Sequence, residues 1–490
     1  MAIEMAQQNK KPNFFVRLWY SIKDYFVAFG KRFRDGSVGT KISHFIFGAG
    51  SFYNGQIIKG ALFLILQAII ILFMVLCPQV NETPFGYKAL VNLSLGGHET
   101  GIDPITAQTI SATDDKLRLL FGLVTIAVII LYFIIWLANI KSSYKADMDR
   151  KIGKKPTSFV EDCKDLLDQR FHILMLTPTM IAALVFTILP TIFMICIAFT
   201  TYNSIDMSTE GTSLFHWNGF SNFAYMFTGQ SKLGAEISAR FFPVLGWTFI
   251  WAILATVTCY FGGILLALLI NKKGLKGKKI FRTFFVVTIA VPQFISLLAV
   301  RNLFNDVGPI NQLLKDLGWI TSSIKFFGGS AADPGNEITA KVMVIIINMW
   351  LGIPYTMLMT SGILMNIPAD LYESARVDGA NPWQQYTKIT LPYTLFVTGP
   401  YLLTSFTGNM NNFNVIYLLT GGAPNKDAAM AQAKAGQTDL LITWLFKLTV
   451  NENKYQMAAV IGILVFLVVS ILSLVVYNII PSVKNEEDFQ

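Results

Sequence analysis

Eight stretches of this chain are apolar for long enough to cross about 30 Å of hydrocarbon. They lie at 57–77, 118–140, 172–201, 243–270, 281–304, 339–366, 393–419 and 456–480. Such a layout leaves few choices, because in lipid every backbone N–H and C=O must be satisfied inside its own segment or in a closed barrel. Composition agrees: 14% of residues are charged, against about 25% in an average soluble domain, and mean hydropathy is +0.50. An all-α integral membrane protein of about eight transmembrane helices is expected.

The charges give the orientation, since short cytoplasmic loops collect Lys and Arg. The connections 78–117, 202–242, 305–338 and 420–455 hold ten such residues in all. The other side is far richer. The segment after the second run alone carries Lys141, Lys145, Arg150, Lys151, Lys154, Lys155, Lys164 and Arg170, and Lys272, Lys273, Lys276, Lys278, Lys279 and Arg282 follow the fourth. Both termini are therefore expected in the cytoplasm of a multi-pass cell-membrane protein. Residues 1–56 mix basic and aromatic side chains, among them Arg17, Lys23, Phe14, Trp19 and Tyr20, a pattern of interfacial helices or of a solvated basic tail. No cleavable apolar leader is read at the N-terminus. Residues 57–140 form an appended pair of spans, 141–171 a basic linker, 172–480 the larger transport part and 481–490 a tail. The Gly48–Gln56 run suggests a tight turn without a function.

One polar island stands out between two apolar runs on the cytoplasmic side, at 370–392. Pro368 closes the preceding helix, and Asp370 with Glu373 reads as an N-cap and capping box. Gly379 suits a left-handed C-terminal cap, and Asn381-Pro382 restarts a helix. The result is a short helix, a glycine hinge and a second short helix, too polar to enter the bilayer.

No enzyme signature accompanies it. There is no G-x-x-x-x-G-K-[ST], and Gly274–Lys279 reads as a positive-inside anchor. The histidines His44, His98, His172 and His216 are scattered, and so are the four cysteines. No catalytic residue, metal or cofactor of its own is expected, and no nucleic acid. The informative residues are polar ones inside the runs, which are costly in lipid unless they meet a partner or a cavity. Ser405, Asn409 and Asn412 fall on one helical side, and their groups both donate and accept, as sugar hydroxyls require. Interhelical hydrogen-bond glue is the alternative. In Trp350–Tyr355, Pro354 frees a carbonyl, Gly352 permits close approach of a ligand or helix, and Trp350 and Tyr355 offer aromatic planes. An ordinary kinked helix with packing aromatics would read the same way.

The island resembles the coupling loop of ABC importer permeases, whose pattern is Glu-Ala-Ala, Gly, then Ile-x-Leu-Pro. Here those places hold Glu373, Ser374, Ala375, Gly379, Ile389, Leu391 and Pro392. Ser374 for alanine is the departure. With N-M-W-L-G-I-P-Y, S-F-T-G-N-M-N-N-F, L-L-T-G-G-A-P and A-G-Q-T-D-L-L-I-T-W-L, the chain is similar to the larger permease subunit of maltose/maltodextrin importers. The resemblance implies a type I permease core in spans 3–8, with the family's transmembrane region at about 243–480. It implies sugar contacts at Leu351, Gly352, Tyr355, Ser405, Gly408, Asn409 and Asn412. It also implies contacts with a cytoplasmic ATPase at Glu373, Ser374, Ala375, Asp378, Gly379, Ile389, Leu391 and Pro392. The implied partners are a second, smaller permease, two ATPase subunits that use ATP-Mg, an extracytoplasmic sugar-binding protein and the lipid bilayer. Gly408 replaces an aromatic residue of the enteric type, and loop 202–242 is shorter than that type's inserted domain. Import of another sugar, or an ion-coupled carrier, is the alternative function. The spans after residue 171 lack the central carboxylates an ion path uses.

Overall fold

The computed structural model describes residues 14–80, 83–95, 114–202, 216–230, 232–272, 274–329 and 335–479. The tail 481–490, the first thirteen residues of the N-terminal segment and part of loop 202–242 lie outside the described residues. Helices dominate, and among the described residues six are long and apolar enough to cross a membrane. They are α2 (Ile57–Leu76), α3 (Asp114–Lys151), α4 (Phe171–Ala198), α5 (Lys232–Asn271), α8 (Glu337–Asn366) and α14 (Tyr455–Ile479). The interfacial candidate is α1 (Phe14–Asp35), with Trp19, Tyr20, Phe26 and Val27 exposed.

Two expected spans are broken instead of straight. Run 281–304 forms α6 (Lys278–Ala290) and α7 (Gln293–Leu303), which meet at 95°. Pro292 explains the bend: it lacks an N–H, and it pushes Val291 before it into extended backbone, ψ 129°. Run 393–419 forms α11 (Leu391–Met410) and α12 (Phe413–Leu419). The asparagines make that break. Asn411 closes α11, and the Asn412 side chain accepts the Val415 N–H at 3.3 Å to cap α12. An Asn cap competes well with helix continuation.

The expected linker 141–171 is mostly helical: α3 continues to Lys151, and Phe159–Leu167 forms a further helix capped by Ser158 and Glu161. The chain has two compact units, one of Met1–Met194 with Ile205–His216 and one of Ile195–Ser204 with Trp217–Gln490, whereas the sequence reading ends the appended part at 140. In the first unit the Gly48–Gln56 turn finds its place. The Asn139 side chain donates to Ser43 O and accepts from Gly48 N, both at 2.9 Å. Asp147 accepts from the Ser37 N–H, the Ser37 and Thr40 hydroxyls and the Asn54 amide. A buried carboxylate needs such donors, so this turn pins its neighbours to α3.

In the second unit α5 runs along α8 and α11. The core comprises Trp247, Trp251, Ala255, Leu297, Val344, Ile347, Val415, Ile416 and Leu440. Close approach depends on missing side chains: a Cβ on Gly263 would stand 2.4 Å from Thr356, and one on Gly352 would stand 2.6 Å from Cys259 Sγ. The permissive role expected of Gly352 is thus played toward a neighbouring helix. The chain is continuous through Pro354, which stays inside α8.

Candidate functional site

Residues from four separate sequence stretches meet at one cavity of about 230 Å³. The middle turns of α8 supply Asn348, Leu351, Gly352, Tyr355 and Thr356; α11 supplies Tyr401, Ser405 and Asn409. Asn412 closes it from the break before α12, Gln293 from the start of α7, and Cys259 from α5. Six of the seven expected contact residues line this space. Gly408 does not; a Cβ there would meet nothing within 4 Å. Trp350, expected as an aromatic plane, lies outside the lining and exposed, and Tyr401 stands with Tyr355 instead, their rings stacked at 6.0 Å.

The polar groups of the cavity divide into committed and free ones. The Asn409 amide donates to Thr256 Oγ1 at 3.0 Å, while its backbone carbonyl accepts from Trp251 Nε1 at 3.1 Å. Asn412 donates to Asn409 Oδ1 at 3.5 Å, and Asn414 to Gln293 Oε1 at 3.4 Å. Asn409 thus ties α11 to α5, and both Asn409 and Asn412 also line the cavity. Among the described residues, Ser405 Oγ, Tyr355 Oη, Gln293 Nε2 and Asn348 Oδ1 make no hydrogen bond. None of the lining residues carries a charge. An uncharged, hydroxyl-rich ligand matches that lining, because amides and hydroxyls can serve as donor or acceptor to each hydroxyl.

Sequence reasoning missed Asn348, Thr356, Tyr401, Gln293 and Cys259. For two the signal was present. Tyr401 stands four residues before Ser405, and Asn348 seven before Tyr355, which puts each on the same helical face as a chosen residue. Gln293 depends on the 95° bend and had no such signal.

The polar island folds as a hinge. Helix α9 (Ala369–Val377) starts directly after Pro368, so Asp370 sits inside the first turn and forms no capping box with Glu373, contrary to expectation. Proline at that place already presets the entry, and the real box is one helix later. The Asn381 and Gln384 side-chain oxygens each accept the other residue's backbone N–H at 2.8 Å, opening α10 (Pro382–Gln385). Gly379 joins the pair at φ +78°. A π-helical turn, Tyr386–Thr390, then leads into α11, and the Tyr372 hydroxyl meets that of Thr390 at 2.9 Å. Glu373, Ser374, Asp378 and Pro392 are exposed, whereas Ala375, Ile389 and Leu391 are half-buried. Val377 and Trp383 are 88% and 68% exposed, an apolar surface on a segment that is otherwise polar.

The connection 420–455 is more core than loop. Helix α13 (Leu441–Phe446) buries Leu441 and Trp444. Beside it, the Asp439 carboxylate is fully buried with Lys447 Nζ at 2.7 Å, Gly436 N at 2.8 Å and Thr443 Oγ1 at 2.9 Å. Burial pushes that carboxyl above its usual range, against the pull of Lys447.

Residues 259–485 match the family described as binding-protein-dependent transport system inner membrane component. The galactooligosaccharides transport system permease protein of Bacillus subtilis (strain 168) is 32% identical over 445 residues, covering 90% of this chain and 96% of that one. This chain belongs to the permease family of binding-protein-dependent importers. The maltodextrin transport system permease protein of Streptococcus pneumoniae serotype 4 is 31% identical over 444 residues, with 90% and 95% covered. The maltose/maltodextrin permease of Salmonella typhimurium is 39% identical over 261 residues, 52% of this permease and 48% of that one. A bacterial alginate ABC transporter, solved with a pentasaccharide-bound periplasmic protein, superposes at a TM-score of 0.50 with 22% identity, over 66% of this permease and 98% of that chain. That likeness supports the fold alone. The permease is thus an ABC importer's transport component, all-helical and multi-pass.

Proposed function

We propose that this permease carries maltose or maltodextrins into the cell, using the cavity between α8 and α11 as the point of sugar contact. The observation that carries the proposal is that Leu351, Gly352, Tyr355, Ser405, Asn409 and Asn412 line one uncharged cavity. Maltodextrin permeases recur among the relatives, which favours this sugar class over galactooligosaccharides. A second, smaller permease completes the pathway, a binding protein delivers sugar from outside, and two ATPase subunits supply ATP hydrolysis. Both termini and the segment 370–392 face the cytoplasm, where α9 and α10 receive the ATPase. Glu373 makes a charged contact there, and closure of the ATPase pair swings the hinge at Gly379 and exchanges access between the two sides.

Vesicles carrying the whole complex test the substrate. ATP-dependent uptake of labelled maltose, maltotriose and longer dextrins is expected; uptake of galactooligosaccharide with none of these would move the substrate class. Within the same assay, Asn409→Ala removes a cavity amide and its bond to Thr256. Loss of such a bond leaves polar partners unpaired at about 1–3 kcal/mol, so uptake falls roughly tenfold or more. Membrane levels equal to the parent's, with uptake unchanged, would exclude Asn409 from the site.

A further inference from the structure

We infer that Arg150, Lys154 and Lys155 form a binding site for a small phosphate ester. With Tyr53, Gly55 and Gly153 they line a concavity of about 520 Å³, which lies wholly within the first compact unit. Two turns shape it. Gly55 at φ +79° leads into α2, and Gly153 at φ +78° closes α3. The closing bonds run from Lys154 N to Asp149 O at 2.8 Å and from Gly153 N to Arg150 O at 3.0 Å, a Schellman motif. Gln56 Nε2 donates to Thr157 O at 2.7 Å and ties the two segments together. The Arg150 guanidinium is held as well: Nη1 donates to Tyr53 O at 3.2 Å, and the group lies over the Tyr53 ring at 5.6 Å. A fixed planar fork is thus ready before any ligand arrives.

The charge there is not compensated. No carboxylate lines the concavity, and among the described residues Arg150, Lys154 and Lys155 form no ion pair. Nearby acids are taken up elsewhere: Asp147 by Ser37, Thr40 and Asn54, Asp162 by Lys59 at 2.6 Å, and Glu161 by the Ser158 N–H. Three like charges around one hollow focus a positive potential into it. A phosphate monoester brings a charge of about −1.5 to −2 and three acceptor oxygens, which suits one guanidinium fork and two ammonium groups. A carboxylate would answer one charge alone. The volume falls among small-molecule sites, about 300–1,000 Å³, so the rest of the ester has room beside the Tyr53 ring. Membrane orientation calls for positive charge, but not for a hollow with a held guanidinium. The apolar run of α3 ends at 140, so Arg150 stands about 15 Å farther along the helix axis, past a headgroup layer of about 5–8 Å. That reach favours a soluble ester over the phosphate of a lipid.

The test is equilibrium binding of labelled glucose 6-phosphate to the whole complex in phosphatidylcholine nanodiscs, with inorganic phosphate and glucose as competitors. Saturable binding is expected, displaced by inorganic phosphate and not by glucose. Lys154→Gln combined with Lys155→Gln should weaken it about tenfold or more. Both lysines are exposed, so the variant keeps its fold. Arg150→Lys keeps the charge, loses the fork and should weaken binding about threefold. A second arm counts phosphatidylglycerol retained by parent and double-lysine variant after detergent exchange, by native mass spectrometry. Probe binding lost in the variant, with equal lipid retention, assigns the site to soluble esters. Lipid retention lost in the variant assigns the same cations to a headgroup phosphate. Probe binding that survives both lysine substitutions belongs to another subunit and overturns the inference. So does a parent that binds no probe and retains no more lipid than the variant, since the charges then serve orientation alone. Neither readout depends on the sugar cavity.

Discussion

Gly379→Pro is expected to abolish uptake, lowering it by more than about a hundredfold, while the chain still inserts and folds. The hinge residue sits at φ +78°, and proline holds φ near −65°. The substitution also removes the N–H that donates to Arg376 O at 3.0 Å. The turn between α9 and α10 must then re-aim. Because the surrounding residues Glu373, Asp378 and Asn381 are exposed, little core packing is lost with it. What changes is the direction in which α9, with Val377, presents itself relative to α10, with Trp383. A coupling segment transmits a push only if both halves engage together, so small angular errors are costly. Gly379→Ala, with a left-handed penalty of about 1–2 kcal/mol, should fall between the two. Membrane insertion is checked by protease pattern and thermal unfolding, and transport by vesicle uptake. Parental uptake in Gly379→Pro would show that no force passes through this joint.

Asp439→Ala is the substitution expected to damage stability most. It leaves the Lys447 ammonium, 15% exposed, without its carboxylate, and it orphans the Gly436 N–H, while the Thr443 hydroxyl keeps Leu440 O as its acceptor. Breaking one side of a buried ion pair costs about 3–5 kcal/mol. The packing around it is tight: a Cβ on Gly422 would lie 2.2 Å from the carboxylate, so repacking has little room. The thermal midpoint in detergent should drop by on the order of 10 °C. Removing both charges with Asp439→Asn and Lys447→Met together should recover part of that loss, since neither member is then left bare. A midpoint unchanged by Asp439→Ala would mean that Lys447 finds solvent at no cost.

Much of this was legible in the amino acids, for identifiable reasons. Long apolar runs specify membrane helices because lipid offers the backbone no alternative partner, and α2, α8 and α14 follow the runs closely, whereas α5 starts well ahead of its run, at Lys232. Gly379 and Asn381-Pro382 were legible because left-handed backbone and helix starts restrict residue type locally. Asp370 misled because a proline one residue before a helix competes with any cap that follows. The two broken spans were hidden for different reasons. Pro292 signalled a bend whose angle depends on tertiary packing, and the asparagines of 409–414 carry two messages in one composition, capping and cavity lining. The cavity itself was half legible: a polar stripe on α11 and an aromatic-glycine stripe on α8 pointed to it. Gln293 and Cys259 arrive from other elements and had no local signature. Asp439 was visible only within a family pattern, since its burial is created by α13 and Lys447 folding over it.

The cytoplasmic placement proposed for the hinge is what the proposed mechanism rests on, and single-cysteine labelling tests it most directly. With native cysteines replaced, Gln384→Cys should react with a membrane-impermeant maleimide only in inverted vesicles, and ATPase subunits bound to the complex should protect it. Labelling from the outside of intact cells would put the hinge beyond the reach of any cytoplasmic motor and contradict the coupling proposed for it.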